Sequence, residues 1–271
     1  MAIESKPSNI ILFPKYEELK SEVEELRADL VKLYFEYDEL RFVICPNIEM
    51  QYMLALGAIE YKLFETQCKM LRLKRKIELI QAKLNRQEKP DISEIEEQLD
   101  EEFAEYQDFL EIQIEAMNEA LDRSKGKVLS GEDKKKLKSL YRKIVKALHP
   151  DLNPDLSEAE IDLFMNAVEA YKNADLNAIR IIAEMLDDGE LPDESDNALA
   201  YLAKERERLQ ALIEHIKEEI CITKECFPYN RRDIVKDSAK IEEMKQEFKR
   251  LQKLYEEEIE LYKAKIAEML E

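Results

Sequence analysis

Apolar side chains recur at alternating spacings of three and four residues over much of the first third of the chain. The first stripe runs from residue 16 to residue 44, the a/d pattern of a left-handed coiled coil. Pro46 interrupts it, and a stripe of similar length follows at residues 56–84. We therefore expect two long helices folded back as an antiparallel hairpin, with Leu30 near Met70.

The next periodic segment, residues 92–123, has its apolar positions spaced mostly by four. This spacing predicts a third and straighter helix. The hairpin before it should end at Lys89 and Pro90, with Asp91 or Ser93 as the next N-cap.

Three shorter helices are predicted from their end signals. Ser130 should cap a basic helix that stops before Pro150. Ser157 and Glu160 have the spacing of a capping box, and Asp175 can cap a helix from 176 to 186.

Residues 187–196 read as an acidic linker, and heptad patterning returns after them. Its two stripes, at 199–220 and 241–269, flank a turn around Pro228 and predict a second antiparallel hairpin, with Ile216 near 244–248. Parallel pairing across two chains is the alternative, because a/d stripes alone do not separate the two arrangements.

The fold class is therefore all-α, a helical core flanked by two antiparallel coiled-coil hairpins. The expected domains are an N-terminal hairpin (1–90), a long helix with a small core (91–186), an acidic linker (187–197) and a C-terminal hairpin (198–271).

Composition agrees with long, surface-rich helices, because 38% of residues are charged while the chain has only 4 Gly and no Trp. The net charge of -19 argues against nonspecific binding to nucleic acid or to an anionic membrane. One segment opposes this trend: residues 132–147 carry seven basic and two acidic side chains.

Several kinds of chemistry are disfavoured. The four cysteines form no Cys-x-x-Cys pair and the chain has only two histidines, so neither a zinc site of the usual spacing nor a cofactor is expected. No Gly-x-Ser-x-Gly, Gly-rich phosphate loop or His-Glu-x-x-His occurs, and we expect no enzyme activity. His215 is expected to be a surface histidine of a heptad arm, and Cys221 and Cys226, near the tip of the predicted hairpin, are expected to be plain small apolar residues.

Localisation is expected to be cytoplasmic, with reduced thiols. The first residues lack the features of a signal peptide, and no uncharged run approaches the length of a membrane span.

A His149-Pro150-Asp151 tripeptide closes the basic helix. Tyr141 lies eight residues before His149, a polar loop follows at 151–157, and the next helix carries Phe164, Val168 and Tyr171. Over about residues 121–185 this pattern resembles the J domain of DnaJ-type co-chaperones. The tripeptide taken alone also suits a plain helix stop.

The resemblance implies which residues act. His149 and Asp151 would contact a DnaK-type heat-shock chaperone, Pro150 would shape the loop, and the basic side chains would face an acidic patch on that partner. These basic residues are Arg142, Lys143 and Lys146. The core would be formed by Tyr141, Ile144, Leu148, Phe164, Val168 and Tyr171.

The chain departs from the J-domain pattern at its first helix, where Tyr-x-x-Leu-Gly is absent. We expect the long helix ending near Arg123 to take its place, with Val128 in the core. The Gly/Phe-rich segment, the zinc module and the client-binding β-sandwiches of full-length DnaJ are also absent.

The expected function is that of a J-domain co-chaperone that stimulates the ATPase of a DnaK-type chaperone, with coiled-coil arms for a client, a partner or a second copy. The alternative is a scaffold protein whose J-like core is uncoupled from the chaperone. A weaker alternative is an envelope- or chromosome-associated coiled-coil protein whose basic helix meets an acidic partner.

Overall fold

The computed structural model describes residues 12–126, 129–186 and 198–271, and every regular element in these ranges is helical. The all-α prediction is confirmed. The helices are α1 (Leu12–Glu39), α2 (Cys45–Tyr52), α3 (Ala58–Asn85), α4 (Ile92–Glu102), α5 (Ala104–Ser124), α6 (Gly131–Leu148), α7 (Glu158–Lys172), α8 (Leu176–Glu184), α9 (Ala198–Glu225), α10 (Arg232–Val235) and α11 (Ser238–Leu270).

The chain does not turn back at Pro46, because two π-helical turns, Leu40–Ile44 and Met53–Gly57, link α1, α2 and α3 without a break. At the first of these turns the Cys45 N–H donates to the Leu40 carbonyl, five residues back. A proline inside a regular α-helix clashes with the carbonyl four residues earlier, and the wider π turn relieves that conflict. The predicted hairpin of residues 1–90 is therefore wrong, since Leu30 and Met70 lie on one uninterrupted helical stretch.

The coiled-coil stripes pair differently from the prediction: α1 packs on α9, and α3 packs on α11. The α1/α9 pair is parallel, since Glu22 pairs with Arg206 near the start of both helices and Glu36 pairs with Lys224 near their ends. The predicted C-terminal hairpin, with Ile216 near residues 244–248, is also wrong. Ile216 lies on α9, and α9 packs on α1.

The chain divides into two compact units, each assembled from separate sequence segments. One contains residues up to 46 and from 127 to 227, and the other contains residues 47–126 and 228–271. Both predicted hairpins are thus split between the units.

The second unit is built on α3 and α11, with α4 and α5 packed on α3. Its core cluster, Ile80, Ile95 and Leu99, also contacts Ile266 and Met269 near the end of α11. Asp91 caps α4 by accepting from the N–H groups of two following residues, as predicted. The single helix expected at 92–123 is interrupted at Phe103, which joins α4 to α5.

The first unit contains α6, α7 and α8, which pack on one another, and α1 packs on α6. The predicted caps are present at Ser130, Ser157 with Glu160, and Asp175. Helix α5, in which the predicted long helix ends, belongs to the second unit, and α1 is a helix that packs on α6 in the first unit. Val128 and the linker at 187–197 lie outside the described residues.

The helical stretch from residue 16 to residue 85 is long and apolar enough, by length and composition, to cross a membrane. That property does not separate a membrane span from a helix of a protein core, because core helices pass the same test. Several apolar side chains in its middle part, including Ile48, Tyr52 and Leu56, are buried in this structure.

Candidate functional site

The His149-Pro150-Asp151 loop is fixed to the end of α6 by local hydrogen bonds. The His149 N–H donates to the Val145 carbonyl, and the N–H groups of Leu152 and Asn153 both donate to the His149 carbonyl at 3.0 Å. The Asn153 side-chain amide donates to the Lys146 carbonyl at 3.0 Å. These bonds satisfy carbonyls that a helix end leaves open, and they give the loop one defined shape.

Helices α6 and α7 run antiparallel on either side of this loop. The rings of His149 and Phe164 lie 5.1 Å apart near the loop, and the rings of Tyr141 and Tyr171 stack at 4.1 Å farther from it. All these partners except His149 are less than 7% exposed. The antiparallel helices therefore have a tightly packed aromatic contact between them.

The imidazole of His149 is sandwiched between helices. Its ring stacks on the ring of Tyr34 from α1, with centroids 3.7 Å apart. Its Nδ1 accepts a hydrogen bond from the Asp151 N–H at 3.2 Å, which leaves the proton on Nε2 in the neutral ring. Burial lowers the pKa of His149 to about 4, although the nearby Asp151 carboxylate opposes that shift. His149 is thus neutral at pH 7.

Asp151 is exposed, but side chains of α1 and α9 form hydrogen bonds with it. The Tyr34 hydroxyl donates a short hydrogen bond to the Asp151 carboxylate. Arg208 of α9 donates to the Asp151 carbonyl at 2.7 Å. Burial, followed by the bond to Asp151, raises the pKa of Tyr34, so its hydroxyl keeps the proton that it donates.

Arg208 is itself held by a charge cluster between α1 and α9. The Glu205 carboxylate accepts from Arg208 at 2.8 and 2.9 Å and from Arg27 at 2.9 Å. Glu205 is only 6% exposed, and the hydrogen bonds from the two arginines lower its pKa. Arg208 and Glu205 both lie on α9, so the ion pair with Arg27 is the one in this cluster that links α9 to α1.

The basic face of α6 is divided into held and free side chains. Lys138 pairs with Glu39 of α1, and the Arg142 guanidinium lies 4.2 Å from the centre of the Phe35 ring. Lys143 and Lys146 are exposed and form no ion pair with any residue that the structure describes. Free positive charge is therefore present on α6 next to the loop, at Lys143 and Lys146, and also near the start of the helix, at Lys134, Lys135 and Lys136.

Behind the loop, the Tyr141 hydroxyl donates to Asp38 of α1 at 2.7 Å. Burial raises the pKa of Asp38 to about 6, against the lowering effect of that hydrogen bond. Tyr141 is fully buried, which places α1 directly over this side of α6.

The structure brings most of the sequence-predicted residues together in one place. The loop residues and the basic residues Arg142, Lys143 and Lys146 lie on or after α6, and five of the six predicted core residues are buried: Tyr141, Ile144, Leu148, Phe164 and Tyr171. Val168 is half-buried.

Sequence reasoning missed Tyr34, Phe35 and Arg208, which supply the contacts from α1 and α9. A signal for the first two was present, because both are aromatic residues next to the a/d stripe of α1 and not on it. Bulky apolar residues beside a coiled-coil stripe indicate a second packed face. No comparable signal distinguishes Arg208 from the other charged residues of α9.

The site is suited to recognition. Among the described residues, no group of three or more His, Cys, Asp or Glu side chains is placed to hold a metal ion. The arrangement offers a rigid loop with one carboxylate, one neutral imidazole and an adjacent pair of free lysines.

Neither the known protein families, the curated proteins nor the solved structures provide a match to this chain.

Proposed function

We propose that this chain is a J-domain-type co-chaperone, which binds a DnaK-type heat-shock chaperone and stimulates its ATP hydrolysis. The observation that carries the proposal is the position of His149-Pro150-Asp151, in a fixed loop between a basic helix and a second helix antiparallel to it. The resemblance to J domains implies this combination of the tripeptide, a basic helix before it and an antiparallel helix after it. A plain helix stop accounts for the tripeptide but not for the basic helix before it or the antiparallel helix after it.

The proposed roles follow from what remains accessible. Lys143 and Lys146 are exposed, and they would steer the loop towards an acidic surface of the chaperone. Asp151 would contact the chaperone through its carboxylate, which is exposed although one of its oxygens accepts from Tyr34. Hydrolysis would take place in the chaperone, and the chain itself would perform no chemistry.

Charge reversal tests the role of the lysines. The double substitution Lys143→Glu and Lys146→Glu should slow association of the full chain with a DnaK-type chaperone, measured by stopped-flow fluorescence. The matched control reverses Lys249 and Lys265, two exposed lysines of α11 without an ion pair among the described residues. The wild-type rate should fall as salt rises, because exposed charges are screened beyond about 8 Å at physiological ionic strength. Equal rates for both double variants would remove the steering role.

The role of the loop is tested by single-turnover ATP hydrolysis with the full chain titrated to large excess over the chaperone. Asp151→Asn should abolish stimulation, because it removes the negative charge that would contact the chaperone. The substitution keeps a side-chain oxygen that accepts from Tyr34, so the loop stays in place. Asp155→Asn, in the same loop and also exposed, is the control and should stimulate like the wild type. Equal stimulation by the wild type and Asp151→Asn would overturn the proposal.

A second candidate function is that of a scaffold whose J-like core is uncoupled from any chaperone. The observation that favours it is that His149 and Asp151 already have partners on α1 and α9. The scaffold function predicts no binding to the chaperone and no stimulation by any variant, including those in which the loop is released.

A further inference from the structure

Two of the residues that would contact the chaperone, His149 and Asp151, are already bound within the chain. We propose that α1 and α9 hold the His149-Pro150-Asp151 loop in a closed, autoinhibited state, and that Tyr34 must leave the loop before it engages the chaperone. This inference rests on the proposed function and concerns regulation of the same site.

Two elements outside the α6–α8 core converge on the loop. From α1, one side chain makes two different contacts: the Tyr34 ring covers the face of His149, and its hydroxyl binds the Asp151 carboxylate. From α9, Arg208 binds the Asp151 carbonyl. A side chain and a main-chain group of the motif are therefore both occupied.

The contact with Asp151 is not needed to satisfy a buried charge. Asp151 is exposed, and water would solvate its carboxylate and its carbonyl at little cost. The buried partner in this pair is Tyr34, which is 7% exposed and whose hydroxyl would lack an acceptor without the carboxylate. The bond thus holds α1 against the loop.

The closed state covers the loop but leaves the neighbouring lysines of α6 free. Lys143 and Lys146, next to the closed loop on α6, remain exposed and form no ion pair with a described residue. An acidic partner can therefore be attracted to α6 while the loop is still covered. The partner must then compete with Tyr34 and Arg208, and its apparent affinity is reduced by the fraction of chains that are open.

The packing of α1 on α9 keeps Tyr34 and Arg208 in contact with the loop. Glu205 links Arg208 to Arg27, so the arginine that binds the loop is tied to both helices. A change that separates α1 from α9 would break the Arg27–Glu205 ion pair, so the two helices that cover the loop would lose this link. The coiled-coil pair would in this way control access to the site.

The test uses the full chain with three substitutions. Tyr34→Phe removes the hydroxyl that binds Asp151 and keeps the ring, while Tyr34→Leu removes both contacts and keeps an apolar side chain at a buried position. Tyr37→Phe is the matched control, because the Tyr37 hydroxyl donates to Glu219 at 3.1 Å in the same helix pair without contacting the loop.

Two measurements are made on each protein. The first is the concentration that gives half-maximal stimulation of single-turnover ATP hydrolysis by a DnaK-type chaperone. The second is the pKa of His149 by NMR, which is well resolved because the chain has only two histidines and His215 is exposed. The His149 pKa reports whether Tyr34 still covers the ring, with or without a chaperone.

In the expected result, Tyr34→Phe lowers the half-maximal concentration about tenfold, since it removes one charge-assisted hydrogen bond that exists only in the closed state. Tyr34→Leu lowers it further and raises the His149 pKa from about 4 towards 6.5. Tyr37→Phe changes neither quantity. Adding Asp151→Asn to Tyr34→Phe abolishes the stimulation.

The two proposals fail in different ways. If the wild type stimulates hydrolysis and both Tyr34 variants stimulate no better, autoinhibition is wrong and the proposed function stands. If no protein stimulates although Tyr34→Leu has raised the His149 pKa, the open loop is inactive and the proposed function fails. If Tyr34→Leu does not fold, as judged by circular dichroism, Tyr34→Phe alone decides between these outcomes.

Discussion

At the scale of single residues, the contrast between His149 and His215 shows how the fold changes the surroundings of a histidine side chain. His215 is exposed on α9, whereas His149 is covered by Tyr34 and contacts Phe164. The neutral imidazole fits this aromatic environment, and the protonated form would have to give up most of its hydration.

This burial makes the stability of the protein depend on pH. The unfolded chain protonates His149 below about 6.5, while the folded chain protonates it only below about 4. The stabilisation from neutral His149 is therefore fully present above 6.5 and is lost as pH falls from 6.5 to 4. We expect the unfolding free energy of the wild type, relative to His149→Gln, to fall by roughly 3 kcal/mol over this range.

Urea unfolding of both proteins at several pH values measures this difference. Asp38 acts in the opposite direction, since its pKa is raised to about 6 and its stabilising effect increases as pH falls below that value. Both proteins contain Asp38, so its effect cancels when they are compared. A difference that does not change between pH 6.5 and 4 would show that His149 is solvated in the folded protein.

At the scale of helices, the π turns are the feature that redirects the fold. Leu40–Ile44 and Met53–Gly57 carry the chain through Pro46 as helix. The two halves of the stretch are therefore unable to pair with each other, and each takes a helix from the C-terminal part of the sequence.

Crosslinking tests the parallel pairing of α1 and α9. In a chain whose two exposed native cysteines are replaced by serine, cysteines at Glu36 and Lys224 should crosslink readily with a short bismaleimide, because these side chains form an ion pair at 2.7 Å. Cysteines at Glu22 and Arg206, another ion-paired position, should behave alike.

The control combines Glu22 with Lys224, which lie near opposite ends of a parallel pair. This combination should not crosslink within one chain at low protein concentration. Efficient crosslinking of the control, or products that join two chains for the first pairs, would contradict the parallel intramolecular arrangement. Mass spectrometry of the digested products distinguishes these outcomes.

At the scale of the whole molecule, the chain divides into two compact units. Ile144 is fully buried in the first unit and Ile80 is fully buried in the second. Replacing a buried isoleucine by alanine typically costs about 2–5 kcal/mol, through lost burial and the cavity that remains. Each substitution should weaken the unit that contains it.

Hydrogen exchange followed by mass spectrometry measures this localisation. Ile144→Ala should speed exchange mainly in α6, α7 and α8, and Ile80→Ala mainly in α3, α4 and α11. Lys143→Ala, at an exposed position beside Ile144, is the control and should leave the pattern unchanged. Uniform acceleration along the chain by either isoleucine variant would indicate a single cooperative unit.

The sequence alone determined the all-helical class, the helices from α6 to α8 with their caps, and the position of the loop. Apolar periodicity and end signals are local, because they depend on residues three or four positions apart, and the caps at Ser130, Ser157 and Asp175 appear where they were predicted. The clustering of the basic residues beside His149-Pro150-Asp151 was also readable, because one helix carries them all.

The tertiary structure alone decided which stripes pair and what covers the loop. Stripes with the same period are nearly interchangeable in sequence, and the choice depends on packing between residues as far apart as Arg27 and Glu205, which are separated by 178 positions. The same long-range packing brings Tyr34 and Arg208 onto the loop. No local pattern encodes such contacts, since each one exists only when two distant helices are side by side.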